Sequence, residues 1–479
     1  NLNAANLNMS NEKLAQYVAE VRTIRAWNYY CLFELWGGAL PLNVSAGSDV
    51  PGTADADWDA SCKKIYNFIA SELDETVDAL AKEDGSHTTV NRANQAMNRM
   101  LKARLLLNAE VFIGEKHYDE CEALSKEIIS GTYGTYGLDS NYRNLYSIDN
   151  VKSPEVIFAL AAEDGQGAAN AISNVRTMIG MWYGYADYFE QSYDGIGAWN
   201  CVCLVPSYDN YGTVQPTGGT KGARCFLDAP YNDKLGAPYE RFDDRDIRKQ
   251  NYVYDAATKT HGPGMFLKGE MRANFGKGNI LTADADRDGQ ALVYVDQLGT
   301  FLNLGRNLEV VMNPRWGETS SGVRLVKYPL YPNDDKGGFK SIDDVQFRLA
   351  EAYYNVAECE MRKGNSGEAK KYVDAVRQRY YRSGDRAAAL SIPGPGFDSF
   401  DMDWMLSEWG KEYLGEGNRR RTDLRRFDKF TQGTWWFWGR ATEDGVNLPA
   451  KRDRKYEWYP LPQSALSVNP GLIQNPNYK

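Results

Sequence analysis

Three glutamates spaced four residues apart, Glu408, Glu412 and Glu416, are the first side chains in this sequence whose type and spacing could carry out chemistry. Paired carboxylates serve as general acid and base, or as acid and nucleophile in glycoside hydrolysis. A four-residue period places all three on one helix face, where like charges repel unless cations meet them. Cations follow at once: Arg419, Arg420, Arg421, Arg425 and Arg426 surround Asp423, and guanidinium forks can bury carboxylates in bidentate pairs. The pattern therefore predicts a structural ion-pair network rather than a catalytic pair. Ser61 to Lys64 matches S-x-x-K but lacks the partner motifs of that chemistry. The three histidines, His87, His117 and His261, make no H-E-x-x-H, and there is no Walker A loop and no G-x-S-x-G. Asp284, Asp286 and Asp288 precede Gly289 as D-x-D-x-D-G, the opening of a calcium loop. The bidentate glutamate of such a loop falls on Val295, so the expectation is a structural Ca2+ held by three aspartates or, more plainly, a solvated acidic turn. No cofactor is required.

The whole chain narrows the function classes. Its 479 residues are 43% hydrophobic and 25% charged, ordinary for a globular protein. Aromatic residues reach 13%, most of them the 31 tyrosines and 12 tryptophans. Such rings suit sugars, peptides or protein interfaces, although most must fill the core. The net charge of −9 and the lack of a long Lys/Arg run argue against nucleic acid. No stretch approaches the ~18 consecutive apolar residues of a membrane-spanning helix, and residues 1–10 show neither part of a signal peptide. The seven cysteines have neither C-x-x-C nor zinc spacing and read as buried free thiols.

The elements that must position these residues are mostly helical. Phe347, Ala350, Tyr354, Ala357 and Met361 recur three and four apart, the stripe of an α-helix, and Gly364 with Asn365 stops it. Ala369, Tyr372, Val373, Val376 and Tyr380 form a second helix, so 347–380 is a helical hairpin. At one constant offset toward the N-terminus, Leu106, Ala109, Glu110, Glu120 and Cys121 stand for Tyr354, Ala357, Glu358, Glu368 and Ala369. Two copies of a unit of roughly 34 residues, with small residues at the crossing, indicate tetratricopeptide-like repeats. Leu14 to Trp36 predicts a long helix ended by Gly37 and Gly38, and 58–82 a second one. Residues 136–342 turn to Gly, Asn, Asp and Tyr with short apolar runs, a loop-rich insert with a few strands. The helical array resumes at Ser341, and the proline-punctuated tail from Tyr456 reads as largely extended. The fold class expected is mainly α: a tetratricopeptide-like scaffold bearing a large irregular insert. Its parts, 1–135, 136–342 and 343–479, belong to one integrated domain.

Glu408-x-x-x-Glu412-x-x-x-Glu416-Gly417-x-Arg419-x-x-x-Asp423-Leu424-Arg425-Arg426 resembles the signature of the SusD/RagB family, surface glycan-binding lipoproteins of Bacteroidetes. The ending agrees, with Tyr459-Pro460-Leu461-Pro462 and then Asn469-Pro470-x-Leu472-x-Gln474-Asn475-Pro476-x-Tyr478. Ala19-Glu20-x-Arg22-x-x-Arg25-Ala26 with Leu35-Trp36-Gly37-Gly38-x-x-Pro41-Leu42 resembles the family's first conserved helix and its exit. Arg348-x-Ala350-Glu351, Ala357-Glu358 and Val376-Arg377-x-Arg379 resemble its third repeat. Trp409 and Asn418 depart from the family's usual Arg and His.

The resemblance implies an outer-membrane protein that captures oligosaccharide without catalysis and passes it to a SusC-type TonB-dependent transporter. It implies a surface-exposed location through a lipid anchor borne outside this chain. Contact residues vary across the family, so candidates are chosen by chemistry: a pyranose stacks an apolar face on an aromatic ring and needs planar polar partners for its hydroxyls. The candidates lie in the insert, Trp182, Tyr183, Tyr193, Trp199, Tyr208 and Trp316, with Asp194, Asn200 and Asp209 beside some of them. Trp435, Trp436 and Trp438 follow the arginine cluster and are expected to pack on the scaffold. Peptide capture, also known in the family, is the alternative binding reading. A helical glycoside hydrolase using Glu408 or Glu412 is a distant third.

Overall fold

A computed structural model describes residues 4, 7–42, 54–162, 187–188, 204, 214–217, 224–227, 238–282, 292–294, 300–302, 310–312, 323–329, 342–417, 419–432, 434–441 and 447–478. The first helix, α1 (Asn11–Trp36), begins where Ser10 accepts the backbone N–H of Lys13 at 3.1 Å, a local cap for an orphan donor. Its buried stripe is Ala19, Thr23, Ala26, Tyr30 and Phe33. It packs on α2 (Trp58–Thr76), capped by Asp57, which accepts from the N–H groups of Asp59 and Ala60. Gly37 closes α1 at φ +56°, the left-handed region that a side chain disfavours.

Next come α3 (Gln95–Leu107), α4 (Ala109–Ile113) and α5 (Tyr118–Ile129). Asn108 separates the first two, and its amide donates to Tyr30 Oη at 3.0 Å and to the Arg104 carbonyl at 3.0 Å. Later in the chain stand α6 (Leu349–Arg362) and α7 (Ser366–Arg377), with Gly364 at φ +85° between them. Helix α5 packs on both α3 and α6, and α6 on α7, so the two hairpins expected from the sequence share one core. That core includes Leu106, Leu107, Cys121, Tyr354, Ala357, Ala369 and Val373. The small residues at 357 and 369 let backbones approach. The architecture is mainly α, a tetratricopeptide-like scaffold with few short strands.

Two expectations on boundaries are corrected. Phe347 does not begin a helix, and the helical array does not resume at Ser341. Strand β1 (Val156–Leu160) pairs antiparallel with β2 (Asp344–Arg348), with Phe347 opposite Phe158. Val345 and Phe347 alternate inward with period two, and a partner strand distant in sequence decides for strand over helix. This ribbon ties 136–162 to the start of α6. A third correction is the tail. It holds a short helix (Gln463–Val468) and 3-10 turns at Arg454–Glu457 and Pro476–Tyr478. Trp458 anchors it against Phe33, Phe112 and Trp58 at 6.0–6.1 Å between ring centres, and Tyr459 N–H donates to the Leu35 carbonyl at 2.9 Å.

Among the described residues of the insert, a satellite core of Tyr252, Tyr254, Leu267, Met271, Leu292, Tyr294, Val326 and Ile342 forms under short hairpins. Arg143 holds it to the scaffold side by donating to the carbonyls of Gly262, Gly264, Val326 and Lys327.

The remaining helices, α8 (Ser383–Leu390), α9 (Met402–Glu412) and α10 (Arg419–Arg426), complete the C-terminal part. Asp401 starts α9 by accepting Trp404 N–H at 2.9 Å.

Candidate functional site

The glutamate series is the best-defined polar constellation. Glu408 and Glu412 lie in α9, but the helix ends at Glu412. Glu416 follows in a turn after Gly415 at φ +75°, so the three are not one helical stripe. Each is buried and met by cations. Glu412 accepts from Arg348 Nη1 at 2.7 Å, Arg379 Nη2 at 3.1 Å, Arg248 Nη1 at 3.3 Å and Tyr380 Oη at 2.9 Å. Glu416 accepts from Arg348 Nε at 2.9 Å, from Tyr146 Oη at 2.8 Å and from Lys327 Nζ. Glu408 accepts from Lys411 Nζ at 2.5 Å. Arg348 and Arg379 also bridge to Glu155, at the head of β1.

The predicted network exists, but its cations are not those that the sequence suggested. Two of the α10 arginines, Arg419 and Arg426, turn instead toward α6. Arg426 grips Glu358 through Nε at 2.7 Å and Nη2 at 2.8 Å, and Arg419 pairs with Glu351 at 3.1 Å and with Asp423 at 3.3 Å. Gly415 at φ +75° and Gly417 at φ +56° bend the chain after α9, and α10 packs on α9, which local sequence could not show. Arg348, Arg379 and Arg248 were legible only as members of other stretches.

Electrostatics rule the glutamates out as proton donors. Burial alone would push the Glu412 carboxyl up, but Arg348, Arg379 and Arg248 hold it well below the carboxylate range. Glu408 and Glu416 are lowered against the same penalty, by Lys411 with Arg377 and by Arg348 with Lys327. Glycosidase chemistry needs one carboxyl raised enough to stay protonated. Ser61 is buried and donates to the Gly38 carbonyl at 2.8 Å, a packing role rather than a nucleophile's.

The stacking candidates Trp182, Tyr183, Tyr193, Trp199, Tyr208 and Trp316, and the calcium candidates Asp284, Asp286 and Asp288, lie outside the described residues. Trp435, Trp436 and Trp438 fall in a strand, Thr434–Ala441, paired antiparallel with Asn447–Lys451, and their side chains lie outside the described set. Among the described residues no cluster of three or more His, Cys, Asp or Glu could hold a metal.

What the sequence did not signal is a recess of about 1020 Å³ along α9 and α10. Its other walls are the 396–403 turn, Arg241 and Phe242, and the C-terminal stretch with Arg452, Tyr456 and Tyr459. Phe397 and Tyr456 are half-buried and Tyr459 is 45% exposed. The guanidiniums of Arg420 and Arg421 line the same space.

The described residues thus form a tetratricopeptide-like scaffold whose Glu408, Glu412 and Glu416 are held by buried cations, with a recess along α9 and α10. The chain belongs to the SusD family, whose model matches residues 154–478. The starch-binding protein SusD of Bacteroides thetaiotaomicron is 26% identical over 484 residues, covering 98% of this chain and 74% of the relative. Two solved structures share the fold at 17% identity, each covering 98% of this chain and 80% of the other. They are surface glycan-binding protein A from Bacteroides uniformis, with a TM-score of 0.57, and surface glycan-binding protein A from Bacteroides thetaiotaomicron in complex with laminarihexaose, with a TM-score of 0.54.

Proposed function

We propose that this protein captures oligosaccharide at the outer-membrane surface, without altering it, and delivers it to a SusC-type TonB-dependent transporter. The observation that carries the reading is membership of the SusD family, with relatives named as starch-binding and glycan-binding. The absence of chemistry is supported by Glu408, Glu412 and Glu416, each buried, ionised and held by cations. A rigid frame of this kind suits capture, because loops that bind sugars lose less entropy when their roots are fixed.

In this reading the insert, 136–342, presents the ligand-binding face, with Trp182, Tyr183, Tyr193, Trp199, Tyr208 and Trp316 as stacking platforms. Asp284, Asp286 and Asp288 would hold a structural Ca2+ that stiffens their loop. Among the described residues no helix is long and apolar enough to cross a membrane; in this reading a lipid anchor holds the protein at the surface. Stacked rings each add about 0.5–1.5 kcal/mol beyond burial, which sets affinities on the order of micromolar to millimolar.

The test is affinity electrophoresis against a panel of neutral polysaccharides, comparing the native protein with Trp199→Ala and Trp316→Ala. Retardation by one glycan class, lost in either variant with the fold intact, supports capture on the insert. Absence of retardation by every glycan overturns it, and shortened products would restore an enzymatic reading.

A further inference from the structure

We propose that the recess along α9 and α10 is a second binding site, one that takes the anionic substituent of an acidic saccharide, a carboxylate or a sulfate ester, on Arg420. The choice of a saccharide rests on the capture reading above; the anion preference does not.

The first observation is Gly410. It sits inside α9, where glycine costs about 1 kcal/mol relative to alanine. A Cβ there would lie 2.9 Å from Arg420 Nη1 and 3.1 Å from its Cζ. The glycine thus leaves a seat on the helix backbone, and the Arg420 guanidinium lies in it, donating through Nη1 to the Leu406 carbonyl at 2.7 Å. Residue 420 is exposed, and it lines the recess.

The second is the charge balance around it. Arg420 is the second residue of α10, whose first turn carries no acid. A cation at a helix N-terminus is opposed by the helix dipole, which favours an anion there. The carboxylates that line the recess nearby have other partners: Asp401 caps α9, Asp403 pairs with Lys429 at 2.8 Å, Glu416 with Arg348 and Lys327, and Asp423 with Arg419 and Arg426. Asp398 is exposed at the rim. Arg421 donates only to carbonyls, those of Glu34, Tyr456 and Glu457. Behind it Arg425 is buried on the Trp458 ring at 4.0 Å, and its Nε and Nη1 have no hydrogen-bond partner among the described residues. Among the described residues Arg420 makes no ion pair, and its hydrogen bond goes to a carbonyl, so its guanidinium is open to an anion in the recess.

The third is the rest of the lining. Phe397 and Tyr459 line the recess, with Arg241 4.9 Å from the Phe397 ring centre and Arg421 4.6 Å from that of Tyr459, and the volume of about 1020 Å³ is at the upper end of small-molecule sites. An aromatic face for a pyranose with a guanidinium fork for its carboxylate or sulfate is the recognition set of an acidic sugar.

Isothermal titration calorimetry tests this with three probes: trigalacturonate, a sulfated chondroitin disaccharide and neutral maltotriose. The expected result is that at least one acidic probe binds the native protein, with a preference that tells carboxylate from sulfate. Arg420→Gln should weaken that binding by roughly 10- to 100-fold, the loss of a charge-assisted contact. Gly410→Ala, which keeps the arginine but fills its seat, should weaken it as well, and decides the matter should Arg420→Gln fail to fold. Failure of both acidic probes to bind overturns the site, as does unchanged acidic binding in a folded variant. Loss of maltotriose binding together with acidic binding in Arg420→Gln would also overturn it, by merging it with the neutral site. Trp199→Ala and Trp316→Ala should leave acidic binding intact, so the two readings fail separately.

Discussion

Arg348 Nη1 lies 2.7 Å from Glu412 Oε1, and both side chains are about 1% exposed. Arg348 ends strand β2, while Glu412 ends α9, so one guanidinium joins the ribbon that closes the insert to the helix that begins the C-terminal cluster. Glu155 and Glu416 bind the same arginine. The pair is a joint between parts of the fold distant in sequence.

Breaking that joint should cost stability. Glu412→Gln leaves Arg348, Arg379 and Arg248 short of a buried counter-charge, and removing one member of such a group costs about 3–5 kcal/mol. The sign with pH follows from the lowered carboxyl: its stabilisation is whole above the unfolded value near 4.5, and is lost as pH falls toward the folded one. Urea unfolding at pH 7 should give the large loss, and the acid sensitivity of the native protein below about 4.5 should be blunted in the variant. A loss under 1 kcal/mol at pH 7 would sink the joint.

His261 predicts a separate acid dependence. Burial, with Arg143 adding to it, pushes its imidazole down to about 3, and its Nδ1 lies 2.8 Å from Tyr252 Oη. In the unfolded chain it titrates near 6.5. The folded form thus binds fewer protons, so stability is full above pH 6.5 and falls as pH drops through that window toward 3, by at most about 1.4 kcal/mol per pH unit. Comparing urea midpoints at pH 7 and 5 for native protein and His261→Phe checks this: the slope between the two pH values should shrink in the variant.

Gly38 packs where no side chain fits. A Cβ there would be 2.7 Å from the Trp58 carbonyl oxygen and 3.1 Å from Cys62 Sγ. Backbone cannot yield as a flexible side chain does, and Gly38→Ala should destabilise by about 1–3 kcal/mol. Gly367→Ala, in α7 with nothing within 4 Å of the new atom, should be neutral or stabilising by up to about 1 kcal/mol. Thermal melts of the two variants side by side would show the contrast, and equal effects would contradict it.

The thiols should divide by burial. Cys31 is exposed, whereas Cys62, Cys121 and Cys359 are buried, and Cys121 donates to the Ala103 carbonyl at 3.3 Å. Desolvation pushes Cys62 up to about 12, so it is not a ready thiolate. Peptide-resolved alkylation at pH 8 should mark Cys31 and leave the other three unmodified until the protein is unfolded. Early labelling of Cys121 or Cys359 would show that the α5–α6 crossing opens.

Much of this protein is local and was legible. The three- and four-residue stripes of α6 and α7, the long helix α1 with its stop at Gly37 and the stop at Gly364 act within a few residues, so helices, repeats and the burial of the glutamates in ion pairs could be read from the sequence. The family motif added the family to which the chain belongs. Tertiary structure decided what depends on partners far apart. Phe347 joined a strand because Phe158 waits across the ribbon. The cations of Glu412 came from Arg248, Arg348 and Arg379 because three segments converge on α9. Arg419 and Arg426 faced Glu351 and Glu358 because the packing of α10 sets them there. The seat of Arg420 on Gly410 lies across two helices, and only their packing makes a glycine in one the reason for an arginine in the other.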